Sequence, residues 1–545
     1  MTSHLVPPHG GRLAPLMASP TRAAELVARA KEMPSWPLAP RQLADLELLL
    51  SGAFSPLRGF MGKDEAESVR RDLRLGDGTF WPAPITLEVT EEAAKGLAPG
   101  GSLALRDGEG VLRAVLRIDE VWRGNDPSTP LGTVGVAGEV EGVEPPHHYD
   151  FVELRATPLG LREQFSRWGW RRIVAFHTGE VMHRAEHELT LAAARELEAS
   201  LLVQTGVATD SWWDAGHYSR IRCLQAVMKA YPPGTAHLNL LPLAPRGPGA
   251  RDLLLNAVVA QNYGCSHLLV RGGAAGAEDP AIADAAGSLQ VKLVRAAERV
   301  WSPDQGAFVA EDGVPKAAAK TLSPAELAER LAWGREIPSW FSFPAVLQEL
   351  RRSRPPRSRQ GFTVFFTGLP SSGKSTLANV LLVKLLEIGG RPVTLLDGDI
   401  VRKHLSSELG FSREHRNLNI ARIGFVASEI TKNEGIALCA PIAPYDSVRR
   451  QVRAMVEPHG GFLLVHVNTP IAVCEQRDRK GLYAKARAGI VKEFTGVSDP
   501  YEEPRDASLA IDTSERSPEE CVQAILLHLE KEGYIGPPNG RGSEA

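Results

Sequence analysis

Cysteine is scarce in this chain: Cys223, Cys265, Cys439, Cys474 and Cys521 are the five among 545 residues, widely scattered and without a Cys-x-x-Cys pair. That usage points away from a disulfide framework and from a zinc site, and it fits a reducing cytoplasm. An excess of charge is also lacking, since 62 Lys and Arg against 65 Asp and Glu leave a formal net charge of -3. Nothing general therefore draws the protein to nucleic acid or to an anionic membrane, and any anion chemistry has to be local. No apolar run approaches the ~18–20 residues of a membrane span. Met1 to Gly11 lacks the basic-then-apolar order of a signal peptide. There is no internal repeat and no low-complexity segment, so a soluble cytosolic protein is expected.

The chain is too long for one hydrophobic core, and at ~100–200 residues per domain about three are expected. Short apolar runs broken by Gly and Pro, such as Trp81 to Val89 and Gly110 to Ile118, predict a β-rich first third. From about Pro158, strand candidates Arg172 to Phe176 and His267 to Val270 alternate with helical stretches such as Glu188 to Leu202. Alternation of that kind implies a parallel α/β sheet. Between Arg351 and Gln360 a basic stretch with Pro and Ser and no apolar anchor reads as a solvated linker.

Beyond it, the apolar run Phe362 to Thr367 leads into Gly368-Leu369-Pro370-Ser371-Ser372-Gly373-Lys374-Ser375-Thr376 and then the helical Leu377 to Leu386. This is GxxxxGK[ST] in the strand–loop–helix setting that a phosphate-binding loop requires. Its glycines let backbone N–H groups curl around phosphate oxygens and the helix N-terminus adds positive potential. Lys374 would reach the β- and γ-phosphates and Ser375 would ligate Mg²⁺, which makes ATP the donor. The next strand candidate, Pro392 to Leu396, delivers Asp397-Gly398-Asp399 at its C-terminal end, where α/β sheets place ligands. Two carboxylates there suit a division of labour, with Asp397 on the metal side and Asp399 accepting the proton of an attacking hydroxyl, although the spacing leaves their order open.

Asp397 to Arg402, Leu409 to Ser412, Arg416 to Gly424, Pro444-Tyr445, Lys480 to Gly489 and Phe494 to Gly496 together resemble the adenylylsulfate kinase family over 362–530. The resemblance implies transfer of the γ-phosphate of ATP to the 3′-hydroxyl of adenosine 5′-phosphosulfate. It assigns Gly368, Ser371, Ser372, Gly373, Lys374, Ser375, Thr376 and Arg477 to ATP, and Arg402, Phe411, Arg416, Asn419, Pro444, Lys485 and Phe494 to adenylylsulfate. Phe411 and Phe494 would sandwich its adenine, and Asp478 to Phe494 would be a lid that excludes water. Two positions depart from the family: Ala443 stands where some members carry a phosphorylatable serine, and Ala421 where an arginine is common. The first argues for direct in-line transfer.

Residues 40–340 resemble ATP sulfurylase through Gly52 to Met61, Trp81 to Val89, His217 to Cys223, Tyr231 to Thr235, Leu240 to Ala244 and Asn262 to Cys265. The site motifs of that family are altered here. Its Gln-Thr-Arg-Asn-Pro-x-His-Arg-Ala-His-Glu reads His177 to His187, with Gly179 at the sulfate-gripping arginine, Glu180 at the asparagine and Glu186 at the second histidine. His183 remains, and His187 could replace the lost histidine by a one-residue slide. The family's Gly-Arg-Asp-His-Ala-Gly loop reads Arg271-Gly272-Gly273-Ala274-Ala275-Gly276, without its Asp and His. Carboxylates where sulfate and triphosphate should sit repel both.

The expected architecture is therefore α/β. A β-rich, PUA-like domain spans 1–157, a Rossmann-like nucleotidyltransferase domain 158–350, a linker 351–360, and a P-loop kinase with a parallel sheet 361–545. The expected function is an adenylylsulfate kinase, using ATP and Mg²⁺, with an inactive sulfurylase-like half that is structural or regulatory, in a dimer or hexamer. A fully bifunctional enzyme and a non-catalytic nucleotide-sensing assembly protein are the alternatives.

Overall fold

The computed structural model describes residues 4–123, 133–207, 215–244, 246–247, 249–272, 287–315, 318–410, 412–478 and 481–536, with backbone alone at Ala215 and Asp399. Phe411, Lys480, the altered loop at 273–276 and the Asp399 side chain thus lie outside the described residues. Contacts divide the chain into two compact units, Met1–Leu322 with Ile337–Ser353, and Ser323–Glu336 with Arg354–Ala545.

In the first unit a long antiparallel hairpin, Leu112–Arg123 with Thr133–Gly142, forms the centre of a six-stranded sheet. Its core face carries Ala114, Leu116, Ile118, Val134, Val136 and Val140. That cluster runs on without a break through Phe54 and Trp81 into Ile173, Ala175, Leu202 and Tyr263 of the following α/β layer. The second sheet is wholly parallel, ordered Lys292–Ala296, His267–Arg271, Ile173–Thr178, Ser200–Gly206, Ala236–Leu241. Its strand order reverses between Ile173–Thr178 and His267–Arg271. Open α/β sheets bind ligands in the crevice beyond the carboxyl ends of strands at that reversal, here the ends at Thr178 and Arg271.

The helix expected over Glu188 to Leu202 is displaced. It spans Arg184–Glu196, and Ser200–Gly206 is a strand. Glu198 takes a left-handed φ of 48° that ends the helical path, so the apolar run after it pairs with the sheet instead of extending the helix.

The second unit is a five-stranded parallel sheet, ordered Val393–Asp397, Ile436–Ala440, Phe362–Gly368, Gly461–Val467, Leu509–Ile511. Period-two alternation along Phe362–Gly368 feeds both faces. Phe362, Val364 and Phe366 join Leu377, Leu381 and Leu385 of helix Lys374–Ile388 with Val522 and Ile525 of helix Pro518–Lys531. Phe365 joins Ile420, Ile423 and Ala427 of Arg413–Lys432 and Val448 and Val452 of Asp446–Val456.

The basic stretch at 351–360 is more ordered than a solvated hinge. Arg351 and Arg352 close helix Pro344–Ser353, and Arg357–Arg359 form a 3-10 turn. The Arg357 guanidinium lies over Trp333 and Tyr534, at 5.6 and 5.7 Å from the ring centroids, and pairs with Glu532 at 2.9 Å. Aromatic faces supply the anchor that the local sequence lacks.

Candidate active sites

The phosphate-binding loop sits between the buried strand Phe362–Gly368 and helix Lys374–Ile388. Gly373, at φ 106°, occupies a backbone region that only glycine adopts readily, and it is the N-cap of the helix. Lys374 is buried, with its ammonium donating to the carbonyls of Gly368 (3.0 Å) and Leu369 (2.7 Å). Burial lowers its pKa to about 8. Ser375 Oγ donates to Asp397 Oδ2 at 2.8 Å, so the loop hydroxyl and the carboxylate at the end of strand Val393–Asp397, one strand removed in the sheet, are within reach of one hard cation. Asp399 lies two residues on, in helix Gly398–Leu405.

The acceptor-side residues converge from separate elements. Arg402 donates to the carbonyls of Leu409 and Gly410, both at 2.9 Å. Arg416 donates to Asp499 at 2.9 Å and Thr495 at 3.0 Å, and its guanidinium lies 5.7 Å from the Tyr445 ring centroid. Asn419 is buried on the same helix, Arg413–Lys432. Phe494 packs edge-on against Tyr483 (centroids 5.0 Å), whose hydroxyl donates to Pro370 O of the loop at 3.0 Å. Asp478 accepts from the N–H groups of Leu482, Tyr483 and Ala484, so it fixes the start of helix Leu482–Arg487, on which Lys485 is exposed. Arg477 is turned to Thr513, with 2.7 Å bonds to its hydroxyl and carbonyl. Pro444 and Ala443 are buried, and the Ala443 carbonyl accepts from Arg449 (2.8 Å) and Thr367 (3.1 Å). Asp499, Thr469 and Thr513 carry no signal in the sequence, because isolated Thr and Asp have no spacing pattern.

In the first unit, His177, Gly179, Glu180, His183, Glu186 and Arg271 gather at the reversal point. His177 Nε2 meets Gln204 Oε1 at 2.9 Å. Glu186 caps helix Arg184–Glu196 by accepting from the His183 N–H at 2.9 Å, and lies 3.7 Å from Arg271. Arg271 is held more closely by Glu298 through a two-pronged pair at 3.0 and 3.1 Å. Arg220 reaches the loop from helix Ala215–Met228, donating to the Gly179 carbonyl at 3.0 Å and to Gly206 O at 3.1 Å. The His183 ring lies on Phe341 (4.4 Å) with Nδ1 at 2.8 Å from Ser342 Oγ. The His187 ring is packed between Tyr231 (4.4 Å) and Phe343 (5.3 Å). Burial lowers the pKa of His177, His183 and His187, which favours the neutral imidazole at each.

Among the described residues no group of three or more His, Cys, Asp or Glu could hold a metal, and no helix is long and apolar enough to cross a membrane.

Comparison with known proteins matches three families along the chain: PUA-like domain over residues 6–129, ATP-sulfurylase over 152–353 and adenylylsulphate kinase over 360–512. Relatives from Phaeosphaeria nodorum and Aspergillus oryzae, each named sulfate adenylyltransferase, are both 43% identical across 97% of this chain and 99% of their own length. A solved structure described as a hexameric APS kinase from Thiobacillus denitrificans is 46% identical, covers 97% of this chain and all of its own, and superposes with a TM-score of 0.86.

Proposed function

Because the chain belongs to the family in which an ATP sulfurylase region and an adenylylsulfate kinase domain share one polypeptide, we propose that its working chemistry is the kinase step and that the sulfurylase-like site no longer turns over. The kinase reading specifies transfer of the γ-phosphate of ATP to the 3′-hydroxyl of adenosine 5′-phosphosulfate. The Ser375–Asp397 contact at 2.8 Å, beside the Lys374 ammonium, carries it. A hydroxyl and a carboxylate suit Mg²⁺, which is held by few protein oxygens and completed by phosphates. When bound, that ion supplies neutralisation of charge on the β- and γ-phosphates.

The residues of the chain do the rest. Lys374 offers a fixed cation to the moving phosphoryl group, and the Gly373 and Lys374 amides at the helix N-terminus cradle its neighbours. Asp399 takes the proton of the 3′-hydroxyl. Arg402, Arg416 and Asn419 orient the phosphosulfate and ribose, and Phe411 and Phe494 stack on the adenine. Helix Leu482–Arg487, tied to the loop through Tyr483, closes over both nucleotides and keeps water out.

Loss of the other activity is supported by charge. Adenylylsulfate synthesis brings sulfate to a triphosphate, so its site needs free cations placed in advance. Arg271 is engaged by Glu298 and Glu186, Gly179 presents a carbonyl, and three histidines are driven toward neutrality. The region would then serve assembly or regulation, in a homo-oligomer like the hexameric relative, in the cytoplasm where five buried free thiols persist. A fully bifunctional enzyme is the second reading, favoured by the name sulfate adenylyltransferase that the relatives carry. Pyrophosphate release from ATP and sulfate, assayed beside formation of 3′-phosphoadenylyl sulfate from ATP and adenylylsulfate, decides between them.

A further inference from the structure

Beneath the phosphate-binding loop lies a buried polar cluster that the proposed chemistry does not use. The Ser372 carbonyl points away from the loop interior and receives two threonine hydroxyls, Thr513 Oγ1 at 2.9 Å and Thr469 Oγ1 at 3.1 Å. The two hydroxyl oxygens are 2.9 Å apart. Thr469 Oγ1 also accepts the Thr513 N–H at 3.3 Å, and Thr513 Oγ1 accepts Arg477 Nη1–H at 2.7 Å. Ser372, Thr469 and Thr513 are 0, 2 and 8% exposed, so water cannot substitute for a missing partner.

Three oxygens share two hydroxyl protons. The hydroxyls cannot donate to each other simultaneously, so in every arrangement at least one proton reaches the Ser372 carbonyl. Its peptide is planar and trans, which directs the Gly373 N–H opposite to the Ser372 C=O. Pinning the carbonyl beneath the loop therefore aims the Gly373 amide up into it, the direction in which a phosphate oxygen would be bound. Gly373 needs such a restraint more than most residues, because at φ 106° it has no side chain and few steric limits to hold its peptide plane. The threonines come from different places in the fold: Thr469 follows strand Gly461–Val467 and Thr513 follows strand Leu509–Ile511. Both stand at the carboxyl edge of the sheet, on the far side of the loop from Asp397.

We propose that Thr469 and Thr513 are positioning residues for ATP, setting the Ser372–Gly373 peptide so that the loop is an anion cradle before nucleotide arrives, and that Arg477 reinforces them by orienting the Thr513 hydroxyl. This rests on the kinase reading above and adds a specificity to it: the pair acts on the donor nucleotide and leaves the acceptor untouched. The pinned plane removes the reorientation that a free glycine peptide would undergo on binding.

Thr513→Val and Thr469→Val keep the side-chain shape and remove the hydroxyl. In the full-length protein each should raise the KM for ATP about tenfold, the scale of one lost oriented hydrogen bond in a buried site. The KM for adenylylsulfate should stay within twofold, and Thr513→Ser should restore the KM for ATP. Equilibrium binding of ADP, followed by calorimetry alongside thermal melts, should weaken in parallel for each valine variant that melts as the wild type does. If Thr513→Val folds and binds ADP as the wild type does, or if Thr513→Ser is as impaired as the valine, the proposal is wrong. Should Thr513→Val melt early, Thr469→Val is judged by the same criteria. A wild-type protein with no kinase activity would instead remove the underlying reading.

Discussion

Arg271 and Glu298 face each other in a two-pronged ion pair, with Nε to Oε1 at 3.0 Å and Nη2 to Oε2 at 3.1 Å, and Glu186 stands 3.7 Å from the same guanidinium. The last arginine of the altered loop thus spends its charge on the protein. Two carboxylates beside one cation leave the crevice at the strand reversal with no surplus positive charge from this group. Sulfate and a triphosphate would meet repulsion of ~1 kcal/mol per unit-charge pair at 4 Å in bulk water, and several-fold more in a partly buried site. The expected result is no ATP formation from adenylylsulfate and pyrophosphate in protein whose kinase is active. Robust turnover that disappears in His183→Ala would overturn this and assign the lost roles to Arg220, Arg184 or their neighbours.

Lys374→Ala should abolish kinase turnover. The Lys374 ammonium is the fixed cation buried in the loop, and removing one preorganised donor to a developing charge costs on the order of 10²–10³ in kcat. Since the side chain already satisfies the Gly368 and Leu369 carbonyls, the variant also leaves two acceptors short of a donor and should melt lower. Steady-state kinetics on folded protein separate the effects, and a kcat near that of the wild type would take Lys374 out of the mechanism.

Much of the kinase half was legible because its signals are local. Phe362 to Thr367 is a short apolar run that reads as a buried strand, and it leads directly into the Gly368-to-Thr376 phosphate-loop pattern, so strand, loop and helix follow from a short stretch of residues. The Ser375–Asp397 approach was foreshadowed by the carboxylate's place at a strand end. What stayed hidden depends on contacts distant in sequence. Thr513 lies 141 residues from Ser372, and Glu298 is 27 residues from Arg271, with no pattern linking either pair. Glu186 is the instructive case. Sequence comparison marks it as a charge in the wrong place, yet the structure gives it work as the helix cap at His183 and as a partner to Arg271. The sequence reading of 188–202 as one helix failed because a single left-handed residue, Glu198, ends it, and composition does not announce such a φ.

Asp397→Asn should retain folding and lose metal affinity. Its carboxylate accepts the Ser375 hydroxyl at 2.8 Å, and an amide keeps that bond while removing the charge that favours a divalent ion. Activity should fall sharply at low Mg²⁺ and recover in part at excess. Asp399→Asn should lose kcat without recovery, as expected for a residue that takes a proton. Insensitivity to Mg²⁺ in both variants would defeat the assignment, and the reverse pattern would exchange the two roles.

The pH dependence of the kinase follows from Lys374. Burial lowers its pKa from the usual 10.5 to about 8, so in the free enzyme the ammonium is present below that pH and lost above it. Because kcat/KM reports ionisations of free enzyme and substrate, kcat/KM for ATP should decline as pH rises through about 8, and saturating ATP should push the decline upward by favouring the charged form. Stability should move the other way. Between about 8 and 10.5 the unfolded chain holds a proton on this lysine that the folded chain has released, and stability rises with pH wherever the unfolded state binds more protons. Wild type should therefore gain in Tm relative to Lys374→Met as pH climbs through that window, while its kcat/KM for ATP falls. A flat kcat/KM profile across the same range would show that bound groups other than Lys374 set the charge of the loop.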